Sequence, residues 1–435
     1  MINLEEQLAR QNKHWIDKDA FPDVSLNKKR HIFPILKEKL KEKAITALSG
    51  PRRMGKSFLL KQLLKESLIE EKIPPQNYLY FLFSGSLNEK NVIAELLNIY
   101  LSKYADPNYR IYVFLDEVQY IDYWQDQIKY YFDTEKNIKF IISGSTSLFY
   151  KQKSKESLLG RVNKIKIGAL SFLEYLDFKN LPRPTQTPSL TNFSSSERAG
   201  LFSNLSLYKL EFKNYLLSGQ YPEIITSKEI SSSKEYISDI VDQLINFDIP
   251  YFHKFIDRPL FLNFVKTLSF DVANEFSLNN MSKPLDADRR TLAQYLKILE
   301  EIKLFGSCYN TTFTSLRKKL AAVKKIYSLN SNLSLNINGF DKSYLNDAKI
   351  FGHQFENYTY TRLTSLFNNI EYYQEKNLEM DFVTNDYAFE IKSGEIKDPE
   401  KYIETAKHLG KKLIFITDSE LEIKDNYTLF PIYYL

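Results

Sequence analysis

The fold of this chain is decided by the stretch Ala44-Ile-Thr-Ala-Leu-Ser-Gly-Pro-Arg-Arg-Met-Gly-Lys-Ser-Phe-Leu-Leu-Lys61. It contains the pattern Gly-x-x-x-x-Gly-Lys-Ser, which runs from Gly50 to Ser57. The apolar run before the pattern, Ala44–Leu48, predicts a buried strand, and the apolar residues after it predict the start of a helix. In that setting the loop N–H groups turn inward around phosphate oxygens, and the helix N-terminus adds a positive potential. The stretch therefore predicts a site for a nucleoside triphosphate.

The side chains of this loop have separate predicted roles. Lys56 reaches the β- and γ-phosphates of ATP, and Ser57 offers its hydroxyl to Mg²⁺. The predicted cofactor-binding residues are Gly50, Pro51, Arg52, Arg53, Met54, Gly55, Lys56, Ser57 and Phe58. The competing interpretation is a glycine-containing turn that matches by chance, and the flanking strand and helix argue against it.

Two acidic residues end a second apolar run, Ile111-Tyr-Val-Phe-Leu-Asp-Glu117. Parallel α/β sheets bind their ligands at the carboxyl ends of the strands, which is where this pair lies. Asp116 is predicted to hold Mg²⁺, directly or through water, and Glu117 to polarise the water that attacks the γ-phosphate. The alternative is a strand that ends in two solvated acids.

A third apolar run, Lys139-Phe-Ile-Ile-Ser-Gly-Ser-Thr146, ends in small hydroxyl residues. Ser143 or Ser145 is predicted to sense the γ-phosphate or to fix the attacking water, and a serine-rich turn is the alternative. Further along, Arg161 is predicted to stabilise transition-state charge, in its own subunit or across an interface. A surface salt bridge is the competing explanation for Arg161.

Composition sets limits on the class of protein. The chain has 435 residues, enough for two or three domains, and its 59 Lys and Arg barely exceed its 54 Asp and Glu. Nucleic-acid binding is thus allowed by the charge but not indicated by it, and Arg317-Lys318-Lys319 with Lys324-Lys325 is typical of a solvated face. A single cysteine, Cys308, suits a reducing cytoplasm. With neither a signal peptide nor an apolar run of membrane-spanning length, we expect a soluble cytoplasmic protein.

Changes of pattern along the chain predict five segments. Residues 1–43 read as a polar lead-in, and residues 44–180 as a parallel sheet flanked by helices. Residues 181–205 are rich in Pro, Ser and Thr and predict a linker or surface loop. Residues 206–310 have a helical period, and residues 311–435 alternate between helices and short strands.

The predicted strands follow from the apolar runs. In the first half they are Ala44–Leu48, Tyr78–Phe83, Ile111–Leu115, Lys139–Ile142 and Asn163–Ile167. In the last third they are Ile370–Gln374, Glu379–Thr384, Ala388–Lys392 and Lys412–Thr417. The fold class is therefore α/β, with a helix around Pro399–His408 between the last two strands.

Several motifs resemble one archaeal and bacterial branch of AAA-type P-loop ATPases that carry a C-terminal domain of uncharacterised role. They are Gly50-Pro-Arg-Arg-Met-Gly-Lys-Ser57, Leu115-Asp-Glu-Val-Gln119, Ser143-Gly-Ser145, Leu159-Gly-Arg161, Tyr215-Leu-Leu-Ser-Gly-Gln-Tyr-Pro-Glu223, Lys325-Ile-Tyr-Ser-Leu329, Gly352-His-Gln-Phe-Glu-Asn357, Met380-Asp-Phe-Val383 and Phe389-Glu-Ile-Lys392. The resemblance implies a P-loop NTPase domain, a helical and winged-helix-like segment, and a small α/β nuclease-like domain. It implies no established substrate.

A second constellation lies near the C-terminus. Glu390 and Lys392 are two residues apart and project from one face of a strand, where Asp381 meets them across a hairpin and Glu356 approaches from a helix. Two carboxylates and a lysine can hold Mg²⁺ or Mn²⁺ against a phosphodiester, and the pattern resembles restriction-endonuclease-like nucleases. Met380 departs from that pattern, which often has proline there. The alternatives are a binding platform without catalysis and ordinary surface residues.

The stretch Asp286–Ile302 has an Asp cap before an amphipathic helix. Arg289, Arg290 and Gln294 are predicted to be exposed, as on the recognition helix of a winged-helix unit, and a lid helix of the ATPase is the alternative. Three functions stay open: an ATPase that controls its C-terminal half, an ATP-regulated nuclease acting on DNA or RNA, and a non-catalytic switch for a protein or DNA partner. Oligomerisation is also left open.

Overall fold

The computed structural model describes residues 4–20, 24–87, 91–145, 158, 160–184, 189–227, 232–252, 257–311, 323–376 and 378–435. The chain divides into two compact units, Met1–Gly168 and Ala169–Leu435. Thr146, Leu159 and the cluster Arg317–Lys319 lie outside the described residues.

The first unit is built on a five-stranded parallel sheet of order β2-β3-β4-β1-β5. Its strands are β1 Ile45–Ser49, β2 Tyr78–Leu82, β3 Ile111–Asp116, β4 Ile138–Gly144 and β5 Val162–Lys166. Its helices are α1 Leu4–Gln11, α2 Phe33–Lys39, α3 Lys56–Glu70, α4 Val92–Lys103 and α5 Trp124–Thr134. All five predicted strands are confirmed to within two residues at each end.

The central strands of this sheet are continuous apolar runs because they are buried. Every residue of β3 and β4 is buried, as expected for a parallel sheet that helices cover on both faces. One hydrophobic core joins these strands to α1, α4 and α5. The carboxyl ends of all five strands meet at one edge, so the residues after β1, β3 and β4 come close together.

The second unit contains a nine-stranded mixed sheet of order β13-β14-β12-β11-β10-β9-β7-β8-β6. Its strands are β6 Glu275–Phe276, β7 Phe305–Asn310, β8 Lys324–Ser328, β9 Glu371–Glu375, β10 Leu378–Val383, β11 Tyr387–Lys392, β12 Lys412–Thr417, β13 Glu422–Ile423 and β14 Tyr427–Pro431. Its helices are α6 Phe172–Phe178, α7 Ser195–Ser218, α8 Pro222–Thr226, α9 Ser233–Gln243, α10 Ile249–Phe252, α11 Arg258–Phe270, α12 Leu278–Ser282, α13 Arg289–Glu301, α14 Ser331–Ile337, α15 Ala348–Leu366 and α16 Pro399–His408.

One pairing joins the two parts of this larger sheet. Strand β7 pairs antiparallel with β8 on one side and parallel with β9 on the other, where Tyr309 lies opposite Glu371. Beyond β9, the strands β10 and β11 form the predicted hairpin, in which Phe382 lies opposite Phe389. The parts predicted as a helical segment and an α/β segment therefore share one sheet.

Helix α7 begins earlier than the composition suggests. The Pro/Ser/Thr-rich composition predicts a linker over residues 181–205, but the helix starts at Ser195. Ser194 accepts a hydrogen bond from the Glu197 N–H, and the Glu197 side chain accepts one from the Ser194 N–H, which is a capping box. The serine-rich stretch therefore forms the N-cap and first turn of this helix, and the C-terminal part of the predicted linker is helical. Among the described residues, no helix is long and apolar enough to cross a bilayer.

Candidate active site

The phosphate-binding loop lies between β1 and α3, as its pattern predicts. Gly50 follows the strand directly, and a Cβ at this position would stand 2.0 Å from the Ile167 carbonyl oxygen. Only glycine fits there without moving β5. At the other end of the loop, Gly55 adopts a left-handed conformation with φ 84° immediately before the helix, which costs glycine little.

Lys56 is turned back onto its own loop. Its Nζ donates hydrogen bonds to the Gly50 and Pro51 carbonyls, at 2.9 and 2.8 Å, and the side chain is buried. These carbonyls hold the ammonium at the loop, where incoming phosphate oxygens would compete for it. Ser57 lies in the first turn of α3, half-buried, while Phe58 is exposed.

Arg30 contributes to the loop from the N-terminal lead-in. Its guanidinium donates to the Met54 carbonyl at 3.1 Å and to the Gly168 carbonyl at 3.2 and 3.3 Å. Met54 itself is buried. No sequence pattern indicates this role of Arg30, because no motif relates a residue to a loop more than 20 positions away.

The buried carboxylate of Asp116 is held by two hydroxyl donors at the carboxyl edge of the sheet. Tyr80 donates to its Oδ2 at 2.9 Å, and Ser143 donates to its Oδ1. Burial and the negative charge of Asp116 raise the pKa of Tyr80 above its ordinary range, so this hydroxyl stays a donor. Ser143 also accepts a hydrogen bond from the Glu117 N–H at 3.3 Å.

Gln119 links the predicted catalytic acid to the neighbouring strand. Its amide nitrogen donates to Glu117 Oε2, and its amide oxygen accepts a hydrogen bond from the Ser145 N–H at 3.2 Å. Glu117 has a left-handed backbone with φ 57°, which is unusual for a residue other than glycine. The motif Leu115–Gln119 assigns no role to Gln119, which only its two contacts in the folded protein identify.

Arg161 lies at the opposite edge of the sheet. Its carbonyl accepts a hydrogen bond at 2.8 Å from the N–H of Ile45, which is the first residue of β1. The phosphate-binding loop follows Ser49, which is the last residue of that strand. Its guanidinium donates to both carboxylate oxygens of Asp133, at 2.9 and 3.2 Å. The structure therefore does not bring Arg161 to the loop of its own subunit, and the observed contact is the alternative salt bridge.

The residues predicted to hold Mg²⁺ have suitable chemistry. Ser57 offers a hydroxyl and Asp116 a buried carboxylate, which are oxygen ligands of the kind that Mg²⁺ prefers. Helix α3, which carries Ser57, packs against β3 and β4, whose ends carry Asp116 and Ser143. No group of three or more His, Cys, Asp or Glu side chains within the described part of the chain is arranged to hold a metal ion.

The C-terminal constellation comes together in the second unit, with one member that the sequence interpretation did not include. Lys325 Nζ lies 3.1 Å from Glu356 Oε1 and 3.5 Å from Asp381 Oδ1. Tyr327 donates a hydrogen bond to the same Glu356 oxygen at 2.6 Å. Burial would lower the pKa of Lys325, but the charges of Glu356 and Asp381 outweigh it and raise that pKa.

Glu390 and Lys392 form the other half of this cluster. Lys392 Nζ donates to Glu390 Oε1 at 2.6 Å, and the Ile391 N–H donates to Asp381 Oδ2 at 2.9 Å. Burial, followed by the nearby charge of Asp381, raises the pKa of Glu390 to about 8 and that of Glu356 to about 7. Glu390 Oε2 is buried and has no hydrogen-bond partner.

The burial of two lysines corrects one expectation. Lys324 and Lys325 were expected on a solvated face, but they are 3% and 8% exposed on β8. Lys325 is buried because two carboxylates neutralise it, and Lys324 covers the ring of Tyr309 at 5.3 Å. The apolar Ile326 and Tyr327 that follow them are the sequence signal of a buried strand.

Residues 42–176 match a family model described as an AAA domain. This part of the chain is therefore an AAA-type, ATPase-like domain, and its family agrees with the loop, the sheet order and the acidic pair. Residues 209–344 match a model described as a domain of unknown function.

Two relatives are similar to this chain over most of their length, and both are described as uncharacterised proteins. One from Methanocaldococcus jannaschii is 26% identical over 88% of this chain and 85% of its own length. One from Haemophilus influenzae is 25% identical over 88% of this chain and 87% of its own length.

The chain also has a low similarity to solved structures of other proteins. One is the Aeropyrum pernix ORC1 protein in complex with DNA, with a TM-score of 0.31, 12% identity, and coverage of 76% of this chain and 97% of that one. Another is the S. cerevisiae Hsp104:casein complex, with a TM-score of 0.32, 13% identity, and coverage of 71% and 56%. Because these TM-scores are low, the fold assignment rests on the strand order and the motifs described above.

Proposed function

We propose that the chain hydrolyses ATP at the carboxyl edge of its parallel sheet. One observation carries the proposal: the Lys56 loop follows β1, Asp116 ends β3 with Glu117 directly after it, and Ser143 of the intervening strand β4 hydrogen-bonds to both acidic residues. Each of these groups is of the type that phosphoryl transfer requires.

The residues divide the reaction among them. The loop N–H groups and the Lys56 ammonium bind the β- and γ-phosphates and neutralise the charge that develops on their oxygens. Glu117 orients a water and accepts its proton as the oxygen attacks phosphorus and the bond to the β-phosphate oxygen breaks, which yields ADP and phosphate. A Mg²⁺ bound by Ser57 and Asp116 would add neutralising charge at the same oxygens.

The test is ATP binding and turnover in the full-length protein. We expect Lys56→Ala to abolish both, and Glu117→Gln to retain binding while lowering turnover by about 100-fold or more. Lys72→Ala, an exposed lysine just beyond α3, is the matched control and should change neither. Normal hydrolysis by Lys56→Ala would overturn the proposal. Wild-type turnover no faster than nucleotide release would favour the non-catalytic switch.

The second unit supplies what the nucleotide state would control. The order α11, β6, α12, α13, β7, β8, with β8 paired to both β6 and β7, is that of a winged-helix unit. Arg289, Arg290 and Gln294 are exposed on α13, the helix that enters the major groove in such units. This supports DNA as the partner, with a protein partner as the alternative.

Binding to a random DNA duplex, followed by fluorescence anisotropy at several salt concentrations, tests this partner. If the two arginines contact phosphates, the variant Arg289→Ala/Arg290→Ala should weaken binding and reduce the slope of log K against log salt by about 2. Lys407→Ala, an exposed lysine on α16, is the control. If the protein does not bind the duplex at low salt, DNA is excluded as the partner and a protein partner is favoured.

The nuclease alternative rests on the convergence of Glu356, Asp381, Glu390 and Lys392 with an unpartnered buried oxygen on Glu390. Its test is cleavage of DNA and RNA with Mg²⁺ or Mn²⁺. Cleavage lost in Asp381→Ala and Lys392→Ala but kept in part by Lys56→Ala would support it. Intact nucleic acid under all these conditions would remove it.

A further inference from the structure

The carboxylate cluster of the second unit already contains a cation. Lys325 Nζ lies between Glu356 Oε1 and Asp381 Oδ1, at 3.1 and 3.5 Å, and its side chain is 11% exposed. These two carboxylates come from elements far apart in sequence, α15 and β10, and Lys325 comes from β8. The contact between them is thus a product of the fold, not of local sequence.

We propose that the Lys325 ammonium occupies the position that a divalent cation would take between Glu356 and Asp381, and so excludes such a cation from the resting protein. The inference concerns the second unit alone and does not depend on ATP hydrolysis. Lys325 thereby decides whether this cluster binds a metal ion.

The carboxylates are held in place by groups other than Lys325. Tyr327 fixes Glu356 through its hydroxyl at 2.6 Å, and the Ile391 N–H fixes Asp381 at 2.9 Å. Because these anchors are a buried tyrosine and a strand backbone, the two carboxylates would keep their positions if the ammonium were removed. The cluster is therefore preorganised around the cation that it contains.

An unused acceptor marks the same cluster. Glu390 is 4% exposed, its Oε1 accepts from Lys392, and its Oε2 is buried without a hydrogen-bond partner. A buried carboxylate oxygen without a partner is costly unless a cation or donor compensates it.

The spacing favours an ammonium over Mg²⁺ in the present arrangement. Distances of 3.1 and 3.5 Å from Nζ to carboxylate oxygens are ordinary for a lysine ion pair. Mg²⁺ requires oxygens at about 2.1 Å and near-octahedral geometry. A divalent cation would also be repelled by the Lys325 charge, and we expect that repulsion to weaken its binding by at least about tenfold.

The experiment is a Mn²⁺ titration of the nucleotide-free, full-length protein, with free Mn²⁺ measured by electron paramagnetic resonance. In the wild type, we expect no bound Mn²⁺ ion whose binding requires Asp381. In Lys325→Met, we expect one such bound ion. The double variant Lys325→Met/Asp381→Asn should lose that ion. Lys407→Met, which removes an exposed lysine of the same unit, should behave as the wild type.

Two results would overturn the inference. One is a Mn²⁺ ion bound by the wild type and lost in Asp381→Asn, which would mean that Lys325 does not exclude metal. The other is a folded Lys325→Met protein, verified by near-ultraviolet circular dichroism, that binds no additional Mn²⁺. If Lys325→Met does not fold, Lys325→Gln replaces it, and the comparison of wild type with Asp381→Asn decides by itself.

Discussion

At the scale of single residues, Gln119 shows how a side chain acquires a role from its neighbours. It connects the carboxylate of Glu117 to the backbone N–H of Ser145, across the ends of β3 and β4. The loop and the acidic pair are readable in the sequence because each is a local pattern next to an apolar run. Gln119 and Lys325 are not readable in this way, because their partners come from other strands and helices.

We predict that Gln119→Ala lowers the kcat for ATP hydrolysis by about tenfold and leaves the KM for ATP nearly unchanged. Without the amide, Glu117 is no longer held toward the end of β4, while the phosphate-binding loop is untouched. Steady-state kinetics measures both constants, and Gln125→Ala on α5 is the control. Unchanged or faster turnover in Gln119→Ala would contradict a positioning role.

The raised pKa of Glu390 predicts that the stability of the second unit depends on pH. Burial, followed by the charge of Asp381, raises the pKa of Glu390 from an ordinary value of 4.5 to about 8 in the folded protein. The folded state therefore binds more protons than the unfolded state between these values, and this contribution to stability falls as pH rises from about 5 to 8. Lys392 and Tyr402 also face this carboxyl group.

We therefore expect Glu390→Gln to flatten the decline of the unfolding temperature of the second unit between about pH 5 and 8. Differential scanning calorimetry at several pH values measures it. Glu404→Gln, an exposed position on α16, should follow the wild type. A variant with an unaltered pH profile would mean that Glu390 is ionised throughout this range.

At the scale of elements, the phosphate-binding loop depends on the close approach of β5. We predict that Gly50→Ala destabilises the first unit by about 2 kcal/mol or more, because the added Cβ would meet the Ile167 carbonyl and the strand must move. Gly168→Ala is the matched control, since a Cβ there meets nothing within 4 Å. Equal denaturation midpoints for the two variants would contradict this reason.

Elements with a strong local pattern were predicted well, and short elements were not. The parallel strands of the first unit and the helix α16 were found where the apolar periods indicated them. Strands β6, β7 and β8 were missed, because β6 has two residues and β8 begins with two lysines. These strands are recognised by their pairing within the sheet. The two lysines at the start of β8 interrupt the apolar run that would indicate a strand.

At the scale of the whole molecule, the chain consists of two units with separate cores. One core uses residues from Leu4 to Leu158 and the other uses residues from Phe172 to Leu435. The sequence predicted the change of architecture between the first and later parts. It did not predict the single nine-stranded sheet of the second unit, whose β7–β9 pairing joins residues about 60 positions apart.

We predict that a protein ending at Gly168 folds by itself and binds ATP. The core that joins its strands to α1, α4 and α5 is made of residues of this unit. Circular dichroism and an ATP-dependent rise in melting temperature measure folding and binding. Lys56→Ala in the same shortened protein should abolish the rise. An unfolded fragment would contradict the independence of the two cores.

The parallel pairing of β7 with β9 has a mechanical consequence. A load along these two strands shears their pairing, which spans Tyr309–Asn310 and Glu371–Tyr372 and is extended by the hydrogen bond from Thr311 N–H to the Tyr372 carbonyl at 2.9 Å. Helix α13 packs against β7, and β9 pairs with β10, which carries Asp381. A force applied to α13 would therefore reach the strand of Asp381 through the hydrogen-bonded ladder itself.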